Sequence, residues 1–353
     1  MAKRLSRNTF IMDKPPTIHS YAAVVGKKEG DGPLGRHFDQ VYQDPYFGQD
    51  TWEKAESELL RLTVMKALEK GKLRCEDINY MFAGDLINQC TSTSYGLREL
   101  EIPLLCVYGA CSTMSESLLM ASLMTDSDIG GNVVAVTSSH FCSAERQFRF
   151  PLSYGGVRTP TAQWTCTASG AAVVSPHGEN GPYVKAATIG KIVDMGVTDA
   201  NNMGAAMAPA AAYVIKTHLE DRGLAPDDFD LIITGDLGRV GGTLLIELLA
   251  KEGINISSGY KDCGTMIFDY ETQDVHAGGS GCGCSNRSAG MQIHTSPHCS
   301  ASVLCGYFLD KVKSGELKNI LFCATGALMS PTLSQQGESI PGISHAVHIS
   351  YEG

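Results

Sequence analysis

Leu73-Arg-Cys-Glu-Asp-Ile-Asn-Tyr-Met-Phe-Ala-Gly-Asp-Leu86 returns 151 residues further on as Leu224-Ala-Pro-Asp-Asp-Phe-Asp-Leu-Ile-Ile-Thr-Gly-Asp-Leu237, with five of fourteen positions identical. The match extends upstream, with a one-residue gap, from Val64-Met-Lys to Val214-Ile-Lys. Each copy reads as an amphipathic helix, a short acidic turn and an apolar strand closed by Gly-Asp-Leu. Leu59, Leu60, Val64, Ala67 and Leu68 fall at helical spacing, and Tyr80 to Ala83 and Leu231 to Ile233 are short apolar runs. Runs without polar alternation suit strands covered on both faces, as in a parallel sheet. The period is far too long for a solenoid, whose units are roughly 20 to 50 residues. The chain is therefore read as a duplicated α/β fold, with one half at 1–190 and the other at 191–353.

The 353 residues carry a formal charge of −10 and no run of Lys and Arg, which argues against nucleic acid as a partner. No segment reaches the roughly 18 uncharged apolar residues of a membrane span. Met1-Ala-Lys-Arg-Leu-Ser-Arg lacks the apolar core of a signal peptide, so a soluble chain, attached to a membrane at most from outside, is expected. The twelve cysteines include no Cys-x-x-Cys pair, and reduced thiols are expected. Cys282-x-Cys284 with His294, His298 and Cys299 offers soft ligands in a short span, but not at the spacing of a structural zinc site. A Gly- and Ser-rich turn is the simpler reading, and no metal site is assigned.

Three segments are candidates for chemistry. Leu104 to Thr113 is an apolar strand ending in Gly109-Ala-Cys111-Ser112, and Thr113-x-x-Glu116 has the spacing of a capping box opening a helix. A cysteine on such a turn faces backbone N–H groups and the positive end of a helix dipole, which favours its thiolate. The second-half counterpart is Val275-His-Ala-Gly-Gly279-Ser280, which puts Gly279 opposite Cys111 and brings His276 close as a potential general base. The third segment runs from the strand Val133 to Ser138-Ser139-His140 into a loop dense in polar groups, where Arg146 and Arg149 stand among Phe141, Phe148 and Phe150. Guanidinium forks suit carboxylates and the rings offer flat apolar surface, although either arginine alone is as readily paired with an acid of the protein.

The doubled unit, the cysteine elbow and the Gly-rich counterpart resemble the thiolase and ketoacyl-synthase superfamily. Thr165-Cys-Thr-Ala-Ser-Gly-Ala-Ala-Val-Val174 and Phe322-Cys-Ala-Thr-Gly-Ala-Leu328 are similar to its small-residue segments, over about residues 15 to 350. The resemblance implies a five-layer αβαβα fold with two mixed, mainly parallel sheets, and a homodimer. Condensing enzymes carry His or Asn just after the second-half strand, where this chain has Thr234-Gly-Asp236, so oxyanion stabilisation is not carried over.

Within the superfamily, seven segments in order resemble the stage V sporulation protein AD family of spore-forming bacteria. They are Asp31–Gly35, Ala83–Gln89, Tyr108–Thr113, Thr137–His140, Ala144–Arg149, Met207–Ala212 and Ala277–Cys282. That resemblance implies a non-catalytic protein that binds dipicolinic acid and its calcium chelate. It further implies a role in loading the spore core at the inner membrane of the developing spore, beside membrane proteins of the same operon. No cofactor is expected apart from calcium as part of the ligand. A planar ring with two carboxylates needs donors and apolar walls. The candidate ligand-binding groups are Cys111, Ser112, Ser138, Ser139, His140, Arg146, Arg149, Asp236, Gly279 and Ser280. The alternative is an acyl-thioester condensing enzyme with Cys111 as nucleophile and His276 beside it.

Overall fold

The two copies of the repeat fold alike down to their caps. In a computed structural model, which describes residues 1–148, 159–178, 181–269, 272–273, 275, 279–280 (backbone only) and 300–353, helix α1 (Trp52–Gly71) buries the stripe Ala55, Glu56, Leu59, Leu60, Thr63, Val64, Ala67 and Leu68. It ends on Lys72 in the left-handed region, φ 56°. The turn Cys75–Asp77 follows, in which Asp77 accepts the Arg74 N–H at 2.8 Å, and then strand β2 (Tyr80–Gly84). In the second half, α4 (Met203–Arg222) ends on Gly223 at φ 61°. Asp228 of the turn Pro226–Asp228 accepts the Ala225 N–H at 2.7 Å, and β7 (Leu231–Thr234) follows. An acid three residues into each turn satisfies an orphan donor of the helical turn that precedes each strand.

The remaining principal strands are β1 (Thr17–Gly26), β3 (Leu104–Cys106), β4 (Val133–Ser139), β5 (Ala168–Ser175), β6 (Tyr183–Thr188), β8 (Tyr260–Asp262), β9 (Asn319–Cys323) and β10 (Ala346–Ser350). Their order is β8-β7-β9-β10-β6-β1-β5-β4-β2-β3. This order carries the duplication: each half has a central strand (β2, β7) flanked by two parallel neighbours, followed by antiparallel pairs. The two five-stranded sheets touch through one register pair, Tyr183 with Thr17. Strand β6, at 183–188, is the second-half counterpart of β1.

Alternate residues of the same strand serve different cores. Phe82, Val133, Ala135, Ala172 and Val174 face the middle layer, while Met81, Ala83, Val134, Val136, Ala171 and Val173 face α1. In the second half, Ile320, Phe322, Val347 and Ile349 face the middle, and Ile232, Leu321, Cys323 and Ala346 face the α4 side. The middle layer consists of α2 (Thr113–Asp126) and the helical segment 300–313, which contains a π-turn at Leu304–Phe308. The architecture is thus the five-layer α/β arrangement, and burial on both strand faces explains the uninterrupted apolar runs. No described helix is long and apolar enough to cross a membrane.

Candidate functional site

Cys111 sits where β3 gives way to α2. The turn Ala110–Ser112 precedes the helix, and Ala110 has φ 50°, a left-handed conformation uncommon outside glycine. The expected capping box does not form. Thr113 is the first helical residue, and its hydroxyl donates back to the Ala110 carbonyl at 2.6 Å while accepting the Gly109 N–H at 3.1 Å. Glu116 is left with Oε2 buried and without a hydrogen-bond partner, and burial raises its pKa. Ser112 donates to the Gly109 carbonyl at 2.8 Å. Cys111 is half-buried and, like Phe148 and Leu328, packs against the small cluster of Leu86, Ala110 and Ala144.

The C-terminal small-residue loop closes one side of this elbow. A Cβ on Gly326, in the short strand Thr325–Ala327, would lie 2.1 Å from the Gly109 carbonyl oxygen and 3.1 Å from the Ser112 nitrogen. Only a glycine allows the two backbones to approach this closely.

Residues 141–148, expected as a loop, form helix α3 (Phe141–Phe148). Its Ala144 and Phe148, four apart, join the same small apolar cluster as Cys111. Arg146, two residues from each, is on the other side, ion-paired with Glu53 of α1 and about half exposed at 52%. Its fork is therefore engaged away from the elbow. Arg146→Ala is expected to change stability by less than about 1 kcal/mol, because exposed pairs contribute little, and thermal unfolding checks it.

The end of β4 is also committed to internal bonds. Ser138 and Ser143 donate to the two oxygens of Glu56 at 3.2 and 2.6 Å. Ser139 donates to the Cys166 carbonyl at 3.2 Å. His140 donates from Nε2 to the Pro45 carbonyl at 2.8 Å, accepts the Cys142 N–H on Nδ1, and packs on Trp52. Burial lowers its pKa. The structure thus brings Cys111 and Ser112 to the elbow, ties Ser138 and His140 into the α1 side, and bonds Ser139 to the Cys166 backbone. Gly279 and Ser280 pair in parallel with Trp164 and Thr165. Arg149, His276 and the Cys282 to Cys299 tract lie outside the described residues.

Asp236 lies just beyond β7 and is fully buried. Its N–H reaches the Thr325 hydroxyl at 3.4 Å and its carbonyl accepts from the Gln163 side chain at 3.0 Å. Thr325 adjoins Gly326, so one short strand links Asp236 to the Cys111 elbow. Burial, and then the neighbouring charge of Asp262, raise the Asp236 pKa well above its usual range.

Several buried acids were not singled out from the sequence. Asp262 accepts from the Thr234 hydroxyl at 2.6 Å and from the backbone N–H of Leu237 and Gly238 at 3.0 and 2.8 Å, and burial pushes its pKa up to about 7. Glu56 is raised by burial and then by Asp85, itself raised by burial. Glu145 of α3 is buried and accepts from Thr165 at 3.5 Å.

The model of the family described as "Stage V sporulation protein AD (SpoVAD)" matches residues 6–350. The chain belongs to the stage V sporulation protein AD family. Its similarity to the stage V sporulation protein AD of Bacillus subtilis (strain 168) is 41% identity over 345 residues, 98% of this chain and 97% of that protein. Among solved structures, this SpoVAD-family chain is similar to acetamide-bound OleA of Xanthomonas campestris, at 11% identity and TM-score 0.58 over 96% of this chain and 99% of that one. It is also similar to 3-oxoacyl-[acyl-carrier-protein] synthase III of Aquifex aeolicus VF5, at 14% identity and TM-score 0.53 over 95% and 100%. At such identities the likeness is one of fold, and it makes this SpoVAD-family chain thiolase-like.

Proposed function

We propose that this sporulation protein binds dipicolinic acid, as the free acid or its calcium chelate, in a pocket floored by Cys111. It acts without catalysis in dipicolinate uptake into the developing spore. In this reading a homodimer works at the inner membrane of the spore beside membrane proteins of the same operon. The observation that carries it is the apolar cluster at Cys111. Leu86, Ala110 and Ala144, with Cys111, Phe148 and Leu328 packed against them, lie at a turn whose backbone comes unusually close to a second strand. Apolar surface of this kind suits a planar ring. Membership of a family known by its place in sporulation, on a thiolase-like fold, supports the same reading.

The elbow also favours a second reading. A cysteine after a left-handed residue at the start of a helix is a competent nucleophile for acyl transfer from a thioester. Alkylation of Cys111 by iodoacetamide, followed by peptide mass spectrometry, tests both. Dipicolinate is expected to slow the modification of Cys111, and acetyl-CoA to leave no acyl group on it. Unprotected alkylation together with a stable acetyl adduct at Cys111 would establish the condensing enzyme instead.

A further inference from the structure

The internal duplication isolates one residue whose role has changed between the halves. Asp85 and Asp236 occupy the same place in the repeated Gly-Asp-Leu. In the first half the carboxylate organises the chain after the strand: Asp85 accepts the Ile87 N–H at 2.7 Å, and the Thr93 N–H and hydroxyl at 2.7 Å each. In the second half Asp262, from the neighbouring strand β8, takes the N–H groups after the strand, those of Leu237 and Gly238. Asp236 is thereby released from that duty. Both its carboxyl oxygens are buried and make no hydrogen bond of normal geometry. The hydroxyl and N–H of Ser300 act on them to lower the pKa, but burial and the Asp262 charge outweigh this. Its backbone is bonded to Thr325, next to the glycine that lies on the Cys111 elbow.

We propose that Asp236 keeps a proton and donates an O–H hydrogen bond to a carboxylate of the ligand held above Cys111. The proposal rests on the dipicolinate reading above. A buried carboxylate without a counter-charge is costly, so such a group stays neutral instead. A neutral carboxyl has one O–H donor, and its hydrogen bond to an ionised carboxylate is of the short, strong kind. An ionised Asp236 would repel the same ligand. The surrounding groups fit the neutral form. Asp262 is the acid that bears on it, Tyr260 and Cys323 on the flanking strands are held neutral by burial, and Gln163, Thr325 and Ser300 carry no charge. The calcium chelate reverses the sign: a cation at this carboxyl displaces its proton, so the chelate binds with proton release and the free acid does not.

The test is calorimetry of dipicolinate, with and without calcium, on the full chain from pH 6 to 9, with Asp236→Asn and Asp236→Ala. An infrared spectrum of the ligand-free protein accompanies it. Wild-type affinity for free dipicolinate is expected to be flat near neutrality and to fall at alkaline pH, approaching about tenfold per pH unit once Asp236 ionises. Asp236→Asn, which still donates an N–H, is expected to keep most of the affinity and lose the alkaline fall. Asp236→Ala is expected to lose at least about tenfold, or ~1.4 kcal/mol. One component of the protonated-carboxyl C=O band should be lost in Asp236→Asn, beside those of Glu29, Glu56 and Asp262. Equal affinities and equal pH profiles in all three proteins would overturn the role of Asp236 while leaving dipicolinate binding intact. An unchanged infrared band in Asp236→Asn would overturn the retained proton. Absence of dipicolinate binding in wild type, with that component still lost in Asp236→Asn, would instead overturn the binding reading.

Discussion

Gly326→Ala is expected to cost about 3 kcal/mol or more of stability and to abolish ligand binding at the Cys111 elbow. The added Cβ would stand 2.1 Å from the Gly109 carbonyl oxygen, where ordinary contact begins more than an ångström further out. Neither side yields cheaply. The oxygen is backbone, Gly109 belongs to the turn that places Cys111, and Thr325 holds the Asp236 N–H. Relief therefore moves the second-half strand away from the first-half elbow and opens the site along that seam. Denaturant unfolding measures the stability loss, with Gly178→Ala as the comparison. There the nearest atom to an added Cβ is 3.5 Å away, and a change within about 1 kcal/mol is expected. Equal midpoints for the two variants would show that the two backbones are not in contact.

The second large effect is a loss of stability as pH rises above 6.5. Burial raises Glu29 and Asp262 to about 7 from ordinary values of 4.5 and 3.8. Between those limits the unfolded chain has released the proton and the folded chain keeps it, so raising the pH favours unfolding by about 1.4 kcal/mol per unit for each group. The stabilisation is complete below the unfolded value and gone above the folded one. Asp236 and Glu56, raised by burial and by an acidic neighbour, extend the loss to higher pH.

Buried histidines act in the opposite sense. His218 and His348 are lowered to about 3 and His345 to about 4, in each through burial. Their contribution is present above 6.5 and is lost as pH falls. The two sets oppose each other in mild acid, and above 6.5 the carboxyls act alone. Glu29 and Asp262 complete their loss near pH 7, and Glu56, raised to about 8, carries it further. The melting temperature is therefore expected to drop by several degrees between pH 6.5 and 8.5, with a shallower drop in Glu56→Gln. A melting temperature that rises over this range would contradict the buried, neutral state of these acids.

The duplication was legible because it is written in local signals. The helix face of Leu59, Leu60 and Val64, the acidic turn and the apolar run before Gly-Asp-Leu each determine their own element, and the second copy repeats them. Helix α3 was obscured by its polar density, although Phe141, Ala144, Glu145 and Phe148 stand at positions i, i+3, i+4 and i+7. Glu56 could have been found in the same way, as a carboxylate inside the apolar stripe of α1, one turn before Leu59 and Leu60. The partnership of Glu53 with Arg146, and the takeover of the Leu237 and Gly238 N–H groups by Asp262, join residues far apart in sequence. Only the packed sheets bring those together. The Thr113 spacing misled because a hydroxyl at the first helical position found closer partners in Gly109 and Ala110 than in the helix ahead of it.

Titration of the purified chain with dipicolinate by calorimetry, alone and with calcium, bears most directly on the repurposed thiolase-like pocket. Saturable binding by the wild-type chain, weakened in Cys111→Ala and absent in Gly326→Ala, is the predicted result. No heat from dipicolinate in either form, with acetyl-CoA acylating Cys111, would contradict it and make the elbow a working nucleophile.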